Sequence, residues 1–556
     1  MWLGIDVGGT FTDAVLVSDR KIVAKSKAAT THQDLLQGVL TALDAAIAHI
    51  APEEISRVAL STTVVTNAIV ENRLDPVQLV LMPGPGMNTE GLFPVKPYVA
   101  AGYVDHRGRV AMKPEQTVLL ADLGPIAGKS FAVAGKFAVR NPVNEECVVQ
   151  WLREKQAKHV TAASTVSGSL NFVRRANAAY YNAACYDLFN AFADSVEAAL
   201  GKRSIAAPVH ILKADGGTLP LAVARKSPVE AVFTGPSASV LGIMALAPEG
   251  EDAISLDIGG TTTDIALWRK GQALFAQRGA KIAGYATSVR AFRLRSVGIG
   301  GDSYVRRESG EMKVGPVRKG PPIAVGGHEP TLSDAMIAAK QIVFGNEAAA
   351  CQAIMNLAIP GQSLSEVAAE IMNVAAATIQ EAIAATIAEE ELQPVYTVND
   401  LIHPDPFTPK TILGVGGAAA GLIPTVAKQF ALPYLVPEYA EIANAVGAAV
   451  SRPTMALTLR ADTAASYYTI PELMRKEKID KKNFSLADAQ KIAREELARQ
   501  AAAAGMDASN IEEVYQEEFN MIRGFQTVGK MISCREQIKP GVLLSLQRQK
   551  EAGSHE

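Results

Sequence analysis

Residues 6–13 read DVGGTFTD and residues 257–264 read DIGGTTTD, so six of eight positions are identical in two stretches that lie 251 residues apart. Each copy follows one apolar, β-prone run and precedes another. Short apolar runs on both sides of a glycine turn are typical of a β-hairpin. The sequence therefore predicts the same hairpin, with a Gly-Gly-Thr tip, once in each half of the chain.

The tips of these hairpins carry groups that suit a bound phosphate. Two glycines allow the backbone to approach an anion and expose consecutive N–H groups, and the threonines add hydroxyl donors. The candidate phosphate ligands are Gly8, Gly9, Thr10, Thr12, Gly259, Gly260, Thr261 and Thr262. A tight turn with an aspartate cap would explain one copy, but it explains two near-identical copies poorly.

Two aspartates in each copy are the candidate catalytic residues. Asp6 and Asp257 end the first strand of each hairpin and are predicted to hold Mg²⁺ or its waters. Mg²⁺ favours a sparse carboxylate shell that phosphate oxygens complete. Asp13 and Asp264 begin the second strand and are predicted to orient a water molecule or a threonine. Phosphoryl transfer depends mostly on positioning and charge neutralisation, which the paired hairpins would supply.

A third glycine cluster lies at residues 412–418, which read ILGVGGA. It follows a short predicted strand and opens a predicted helix, so Gly414, Gly416 and Gly417 suit a nucleotide phosphate or ribose. Close packing between strand and helix is the alternative explanation. The chain has no GxxxxGK[ST] segment, which excludes a P-loop NTPase.

The order of these elements resembles the superfamily of actin, sugar-kinase and heat-shock-chaperone ATPases. The resemblance implies an α/β fold in which two duplicated ribonuclease-H-like lobes of the actin/hexokinase type surround a nucleotide cleft. It also implies an adenosine turn at residues 413–418 and two crossing helices of small residues at 234–242 and 443–450. The expected domains are residues 1–230, residues 231–455 with a helical insertion at 333–395, and a small α+β extension at 456–556.

A narrower resemblance covers nearly the whole chain. The segments that resemble the hydantoinase A/oxoprolinase family are residues 6–13, 61–68, 233–242, 257–264, 298–303 and 330–335. This family includes ATP-dependent N-methylhydantoinase and 5-oxoprolinase, and the ATP-binding subunits of acetone and acetophenone carboxylases. The resemblance implies phosphoryl activation of an amide, lactam or ketone oxygen, often with a partner subunit.

The expected function is therefore the ATP-dependent opening of a cyclic amide or imide, such as hydantoin, N-methylhydantoin or 5-oxoproline. ATP and Mg²⁺ are the expected cofactors. The expected partners are the small-molecule cyclic amide, a hydantoinase B-type subunit and a second copy of the chain. Two other functions stay open, which are an ATPase that activates a partner enzyme and a small-molecule kinase.

The candidate substrate residues include two departures from the family pattern. The candidates are Thr62, Thr63, Asn67, Gly300, Gly301, Asp302, Arg293 and Arg295. The family's threonine motif usually begins His-Gly, where this chain has Leu60-Ser61. Longer members carry Asp-x-His where this chain has Arg-Leu-Arg at 293–295, which argues against a second, transition-type metal. The two arginines suit a carboxylate or phosphate ligand, and solvated or ion-paired arginines are the alternative.

Composition excludes several classes of protein. The chain has 556 residues, a mass of 58.7 kDa and a net charge of −3, which does not fit a general nucleic-acid or anionic-membrane binder. The four cysteines form no CxxC pair, so neither a disulfide framework nor a thiolate zinc site is expected. The sequence shows no signal-peptide pattern and no long apolar run, so a cytoplasmic location is expected.

Overall fold

The structure is a computed structural model. It describes residues 1–9, 11–30, 35–247, 250–392, 402, 405–481 and 483–547. Thr10, a predicted phosphate ligand, lies outside the described residues, as do the last residues of the predicted helical insertion and of the predicted extension.

The first lobe is built on a mixed sheet. Its strands are β1 Trp2–Val7, β2 Phe11–Ser18, β3 Lys21–Ala29, β4 Arg57–Thr62, β5 Val77–Met82, β6 Tyr98–Val99, β7 Tyr103–Val104, β8 Val110–Met112, β9 Ser130–Gly135, β10 His159–Ala162, β11 Val209–Leu212 and β12 Gly217–Pro220. Its helices are α1 Leu35–Ile47, α2 Val64–Val70, α3 Gln116–Leu123, α4 Val143–Glu154, α5 Ala163–Val166, α6 Phe172–Ala184, α7 Tyr186–Gly201, α8 Leu221–Ala224 and α9 Thr234–Leu246.

The central strands of this sheet have the order β12-β11-β4-β1-β2-β3. The predicted hairpin β1–β2 is antiparallel, whereas β4 runs parallel to β1. A second, parallel sheet with the order β10-β9-β5-β6 is inserted between β4 and β11. The side chains of Leu3, Ile5 and Val7 are buried in the core, so the apolar run before the first glycine pair anchors the hairpin.

The second lobe repeats the hairpin. Its strands are β13 Ala253–Ile258, β14 Thr263–Arg269, β15 Gln272–Ala273, β16 Lys281–Ile282, β17 Tyr285–Ala286, β18 Leu294–Val297, β19 Ser303–Glu308, β20 Glu311–Arg318, β21 Thr411–Val415 and β22 Tyr434–Leu435. Its helices are α10 Leu332–Ala338, α11 Glu347–Met355, α12 Leu364–Glu391 and α13 Ala419–Phe430. The sheet has the order β15-β14-β13-β21-β22, and β18 also pairs with β14.

The remaining elements join the lobes and form the extension. They are α14 Ala443–Val450, β23 Arg452–Pro453, β24 Ala456–Asp462, β25 Tyr467–Ile470, β26 Arg475–Lys478, α15 Leu486–Ala503, β27 Ile511–Arg523 and β28 Gln526–Ile538. Strand β23 pairs with β12 of the first lobe. The later strands form a sheet with the order β26-β25-β24-β28-β27, on which α15 packs. On this basis we propose the domain boundaries near residues 230 and 455.

The two predicted crossing helices are present as α9 and α14. A Cβ atom added to Gly242 of α9 would overlap the carbonyl of Ala443, and one added to Gly447 of α14 would overlap the carbonyl of Ala238. The backbones of the two helices therefore touch, which only glycine permits at these positions. This contact lies between the two sheets.

Helix α12 is, within the described parts of the chain, the one helix whose length and composition would allow it to cross a membrane. Its side chains Val367, Ile371, Ala375 and Ile379 are buried in the core of the second lobe. These positions repeat every four residues and form the face that packs against the lobe. A buried core helix meets the same length and composition criteria, so the criteria are weak evidence for a span.

Candidate active site between the lobes

Each hairpin contributes one row of side chains that stand directly opposite one another on neighbouring strands. The row of the first lobe is Ser61, Asp6, Asp13 and Lys27, and that of the second lobe is Val415, Asp257, Asp264 and Ser296. Side chains of directly opposite residues lie on the same face of a sheet. The two aspartates predicted in each copy are therefore neighbours on one face.

Asp6 is the buried carboxylate of the first row, with 5% of its surface exposed. Burial and the nearby carboxylate of Asp13 raise its pKa to about 6, although the polar side chains of Ser61 and Asn444 oppose the rise. Its Oδ1 atom is buried and has no hydrogen-bond partner among the described residues. An acceptor left unsatisfied in this way fits a site that a further donor or a cation completes.

Asp257 is the equivalent residue of the second lobe. Burial and the carboxylates of Asp264 and Asp6 raise its pKa to about 7, so the two lobes bring Asp6 and Asp257 within electrostatic reach of each other. The side-chain amide of Asn444 donates to Asp257 Oδ2 at 3.4 Å. Asn444 of α14 therefore joins the second hairpin to the crossing helices.

The carboxylate of Asp13 is paired with a basic side chain. The Lys27 ammonium lies 2.9 Å from its Oδ1 atom. Burial raises the pKa of Asp13, and the Lys27 charge opposes that rise. Lys27 also donates to the carbonyl of Glu441 at 3.5 Å, and Lys25 pairs with the Glu441 carboxylate at 2.8 Å. Strand β3 of the first lobe thus contacts the segment that precedes α14.

Asp264 has a neutral neighbour in place of a lysine. Burial raises the pKa of Asp264, and a hydrogen bond from Ser296 opposes the rise. Within the described chain no basic side chain forms an ion pair with Asp264. A carboxylate with a raised pKa and no fixed counter-ion suits a proton acceptor better than one that is already paired.

The two predicted tips close in the same way. The Gly8 N–H donates to the Phe11 carbonyl and the Gly259 N–H donates to the Thr262 carbonyl, both at 3.0 Å. Among the described atoms, none lies within 4 Å of the place where a Cβ of Gly9 would be. Thr261 is exposed, and Gly260 and Thr262 are half-buried. These tip groups are accessible to a ligand.

Thr12 does not join the cluster. It is fully buried on the opposite face of the hairpin, since it stands opposite Val7 rather than Asp6. Its hydroxyl hydrogen-bonds the Thr30 hydroxyl at 3.1 Å, and Thr30 donates in turn to the Gly8 carbonyl. Thr12 therefore lies behind the tip, where its hydrogen bond to Thr30 supports the turn.

The predicted adenosine turn lies directly against Asp257. Gly414 lies within strand β21, and Gly416, just after the strand, has a φ of +95°. A Cβ on Gly416 would lie 2.5 Å from Asp257 Oδ1, so only glycine fits here. Gly417 has open space at its Cβ position among the described atoms, and α13 begins at Ala419. The structure brings this turn to the same site as the second hairpin.

Thr62, Thr63 and Asn67 form the turn from β4 into α2. The Thr63 hydroxyl donates to the Val7 carbonyl at 3.1 Å, and Asn67 donates to Thr63 at 3.2 Å. Thr62 is fully buried, and its backbone exchanges hydrogen bonds with the Thr234 hydroxyl of α9. Thr63 and Asn67 are half-buried beside the first hairpin, whereas Thr62 links β4 to α9.

Gly300, Gly301 and Asp302 lie behind the second tip. The N–H groups of Gly301 and Asp302 donate to the carbonyls of Gly259 and Gly260, at 2.9 and 2.6 Å. The carboxylate of Asp302 pairs with Arg318 at 2.9 Å, and burial raises its pKa against that charge. These residues hold the tip in place through their backbone.

Arg293 and Arg295 are engaged with acidic side chains. Arg293 pairs with Glu390, and Arg295 pairs with Glu389, both at the end of α12. The structure therefore matches the ion-paired alternative, and it does not bring these arginines to the aspartate rows. Both arginines are half-buried, and each has a carboxylate as its counter-charge.

The donor set suits a metal with few protein ligands. In the described part of the chain, no group of three or more His, Cys, Asp or Glu residues is placed to hold a metal ion. Asp6 and Asp257 instead come from two lobes and lie within electrostatic reach of each other, and Asp6 keeps an unsatisfied oxygen. Two carboxylates completed by phosphate oxygens and water fit Mg²⁺.

Sequence reasoning missed the polar neighbours of the two aspartates. Asn444 donates to Asp257. The Ser61 and Ser239 side chains lie near Asp6 and Asp257, and their hydroxyl groups donate to the Thr234 hydroxyl and the Pro236 carbonyl. Asn444 is one polar residue in the run of small apolar residues that forms α14, and this contrast is the signal that could have identified it. Lys27 was not singled out because its pairing depends on the β2–β3 register.

Together the two sheets, the crossing helices and the two equivalent hairpins define a fold of two duplicated α/β lobes. Residues 175–456 match the family described as Hydantoinase/oxoprolinase, and residues 2–156 match the Hydantoinase/oxoprolinase N-terminal region. The chain belongs to the hydantoinase/oxoprolinase family.

Two curated relatives match parts of the chain. The caprolactamase subunit alpha of Pseudomonas jessenii is 25% identical over 390 residues, which cover 62% of this chain and 55% of that protein. The 5-oxoprolinase of Saccharomyces cerevisiae is 26% identical over 216 residues, which cover 37% of this chain and 16% of that protein. The chain thus matches about half, or less, of the length of these relatives.

Two solved structures share the fold over nearly the whole chain. Nucleotide-free acetone carboxylase has a TM-score of 0.67 at 16% identity and covers 98% of this chain and 88% of its own. The ATP-dependent caprolactamase of Pseudomonas jessenii has a TM-score of 0.69 at 19% identity and covers 96% and 87%. The predicted fold class, two duplicated α/β lobes with a C-terminal α+β extension, is confirmed.

Proposed function

We propose that this protein is an ATP-dependent hydrolase that opens a cyclic amide or imide, alone or as the ATP-binding subunit of such an enzyme. The observation that carries the proposal is that two copies of one hairpin, one in each lobe, hold Asp6 and Asp257 at equivalent positions and within electrostatic reach of each other. Family membership and the likeness to caprolactamase and 5-oxoprolinase support it.

In the proposed reaction, the ring carbonyl oxygen attacks the γ-phosphorus of ATP, and ADP leaves. Water then adds to the activated carbon, and the ring C–N bond breaks to leave an open-chain acyl phosphate. A second water hydrolyses this acyl phosphate to the open-chain carboxylate and inorganic phosphate, so two waters are consumed for each ATP used and ring opened. Mg²⁺ would be held by Asp6 and Asp257, where it would neutralise phosphate charge.

The remaining groups have proposed roles that follow from their surroundings. The exposed tip residues Gly9 and Thr261 would contact the phosphates, and Gly416 and Gly417 would contact the nucleoside. Asp264 is the better candidate to accept a proton from water, because Asp13 is already paired with Lys27. Thr63 and Asn67, at the cleft end of β4, would contact the substrate.

The test is a measurement of ADP release with hydantoin, N-methylhydantoin, 5-oxoproline and caprolactam, with and without the protein encoded beside this one. We expect one compound to raise ADP release and to be consumed in equal amount. ADP release that no compound stimulates, with no ring opening in either setting, would contradict the proposal. A stable phosphorylated product would instead identify a small-molecule kinase.

A second candidate function is an ATPase that activates a partner enzyme. The ion-paired Arg293 and Arg295, at the place where longer family members carry Asp-x-His, favour it. This candidate predicts ATP-dependent complex formation with a partner and no ring opening by this chain. A hydantoinase B-type subunit is the proposed partner. For either function, we also propose that the protein is cytoplasmic and that it associates with a second copy of the chain.

A further inference from the structure

A cavity of about 290 Å³ lies where the second lobe, the crossing helix α9 and the C-terminal extension meet, and none of the aspartates of the two rows lines it. Its apolar wall includes Phe275 and Phe292, whose rings stack with their centroids 4.8 Å apart, and Met244 and Val542. Gln272 on the rim is exposed, so the cavity is open to solvent. Pockets that bind small molecules are mostly apolar and occur preferentially at domain interfaces.

The rim of this cavity carries two basic side chains without an acidic partner. The ammonium of the half-buried Lys539 forms no hydrogen bond or ion pair with the described residues. Arg452 donates to the backbone carbonyls of Lys539 and Val542, both at 3.2 Å. These two bonds hold its guanidinium at the cavity and leave its charge uncompensated. An ammonium and a guanidinium beside an apolar wall suit the carboxylate of a small organic acid.

The acidic groups close to this rim are already engaged or lie in solvent. Glu512 lines the cavity, but its carboxylate pairs with Arg290 at 2.9 Å. Asp507 is exposed, and hydrogen bonds from Ser509 lower its pKa, to which the Arg452 charge adds a smaller effect. Within the described chain Asp507 and Arg452 form no ion pair. The rim therefore keeps a positive charge that a ligand can neutralise.

We propose that this cavity binds a small organic carboxylate with an apolar body, the carboxylate at Lys539 and Arg452 and the body against Phe275 and Phe292. Such a ligand would touch the second lobe and the extension at once and would stabilise their contact. An ammonium at the far end of the ligand would enter the apolar wall without a free carboxylate, so an amino acid should bind less well than a plain acid. The site goes beyond the proposed hydrolysis and does not depend on it.

The test is calorimetric titration of the full chain with hexanoate, which supplies both a carboxylate and an apolar chain. Hexanamide, which lacks the charge, and acetate, which lacks the chain, should each bind about tenfold more weakly or less. Hexanoate should also raise the unfolding temperature of the protein, because it binds the folded state alone. Binding of 6-aminohexanoate as tight as that of hexanoate would contradict the apolar body.

Two substitutions locate the carboxylate. Lys539→Met should weaken hexanoate binding about tenfold or more, because it removes a charged partner. Lys530→Met is the matched control, since it makes the same change on β28 at an ammonium that pairs with Glu518 at 2.7 Å and does not line the cavity. Gln272→Glu should also weaken binding, because it adds a negative charge to the rim through an exposed side chain that the fold does not need.

Saturating ADP and the variant Asp257→Asn should both leave the affinity for hexanoate unchanged. Displacement of hexanoate by ADP would place the carboxylate in the proposed nucleotide site and would overturn the inference. The absence of saturable hexanoate binding would do the same, as would equal affinities of the native, Lys539→Met and Gln272→Glu proteins. None of these outcomes bears on ADP release with cyclic amides, so the proposed hydrolase activity can stand or fail separately.

Discussion

The two hairpins are near copies in sequence, yet their rows of side chains differ at both ends. In the first lobe Asp6 and Asp13 stand between Ser61 and Lys27, and Asp13 is ion-paired. In the second lobe the same pair stands between Val415 and Ser296, so the outer Asp264 has only a neutral neighbour. Duplication thus supplied two inner aspartates, Asp6 and Asp257, at equivalent positions, while the neighbouring strands gave the two outer aspartates, Asp13 and Asp264, different charge environments.

The largest expected effect comes from substitution of the inner aspartates, Asp6 and Asp257, which occupy equivalent positions in the two hairpins. Asp6→Asn and Asp257→Asn should each lower ATP turnover by about 10²–10³-fold or more, because each removes a preorganised charge from the proposed phosphate site. ADP release measures this. Asp194→Asn, at an exposed ion pair on α7, is the control and should retain turnover. Normal turnover in either inner variant would contradict the assignment of the nucleotide site.

The outer aspartates should differ, since only one of them has a lysine partner. Asp264→Asn should lower kcat by about 10²-fold if it removes a general base, and Asp13→Asn should lower kcat less. Single-turnover ADP release with saturating substrate measures the step directly. Equal losses in the two variants would show that Lys27 does not distinguish the hairpins.

Local patterns in the sequence predicted the hairpins and the crossing helices, because glycine turns, apolar runs and small-residue helices depend on neighbours in the chain. The face on which Thr12 lies could also have been predicted, since side chains alternate along a strand and Asp13 adjoins it. The partners of Arg293 and Arg295 could not, because Glu390 and Glu389 lie 97 and 94 residues away. Asn444 stands out as a polar residue among the small apolar residues of α14, but its partner Asp257 lies 187 residues away, so no local pattern identifies that contact.

The pH dependence of stability tests the inner pair without any ligand. Unfolded aspartate ionises near 3.8, whereas folded Asp6 and Asp257 hold a proton up to about pH 6 and about pH 7. Between those values the folded protein binds more protons than the unfolded chain, so the stability of the nucleotide-free protein falls as pH rises through this window. At low pH, protonation removes the free-energy cost of burying these two carboxylates in the charged form. Above the folded pKa, their ionisation imposes that cost in full.

Asp257→Asn should therefore raise the free energy of unfolding at pH 8 by about 1–3 kcal/mol, since each pKa unit corresponds to about 1.4 kcal/mol and part of the shift is screened. At pH 4 the native carboxyl is already neutral when folded, and the difference should nearly vanish. Urea unfolding at the two pH values measures this. An equal change at both would mean that the effect of the substitution is not electrostatic.

The smallest expected effect concerns Lys27, the residue that gives Asp13 a counter-charge where Asp264 has none. Lys27→Met leaves the Asp13 carboxylate without its counter-charge, so the pKa of Asp13 should rise further and stability at neutral pH should fall by about 1 kcal/mol. Lys25→Met is the matched control on the same strand, because its pair with Glu441 is exposed and should be worth less than about 0.5 kcal/mol. In the double variant Lys27→Met with Asp13→Asn, the loss should disappear, since no buried charge remains to be compensated. A loss that persists there would mean that Lys27 stabilises the first lobe through its contact with Glu441, and the two rows would then differ in how they join the lobes.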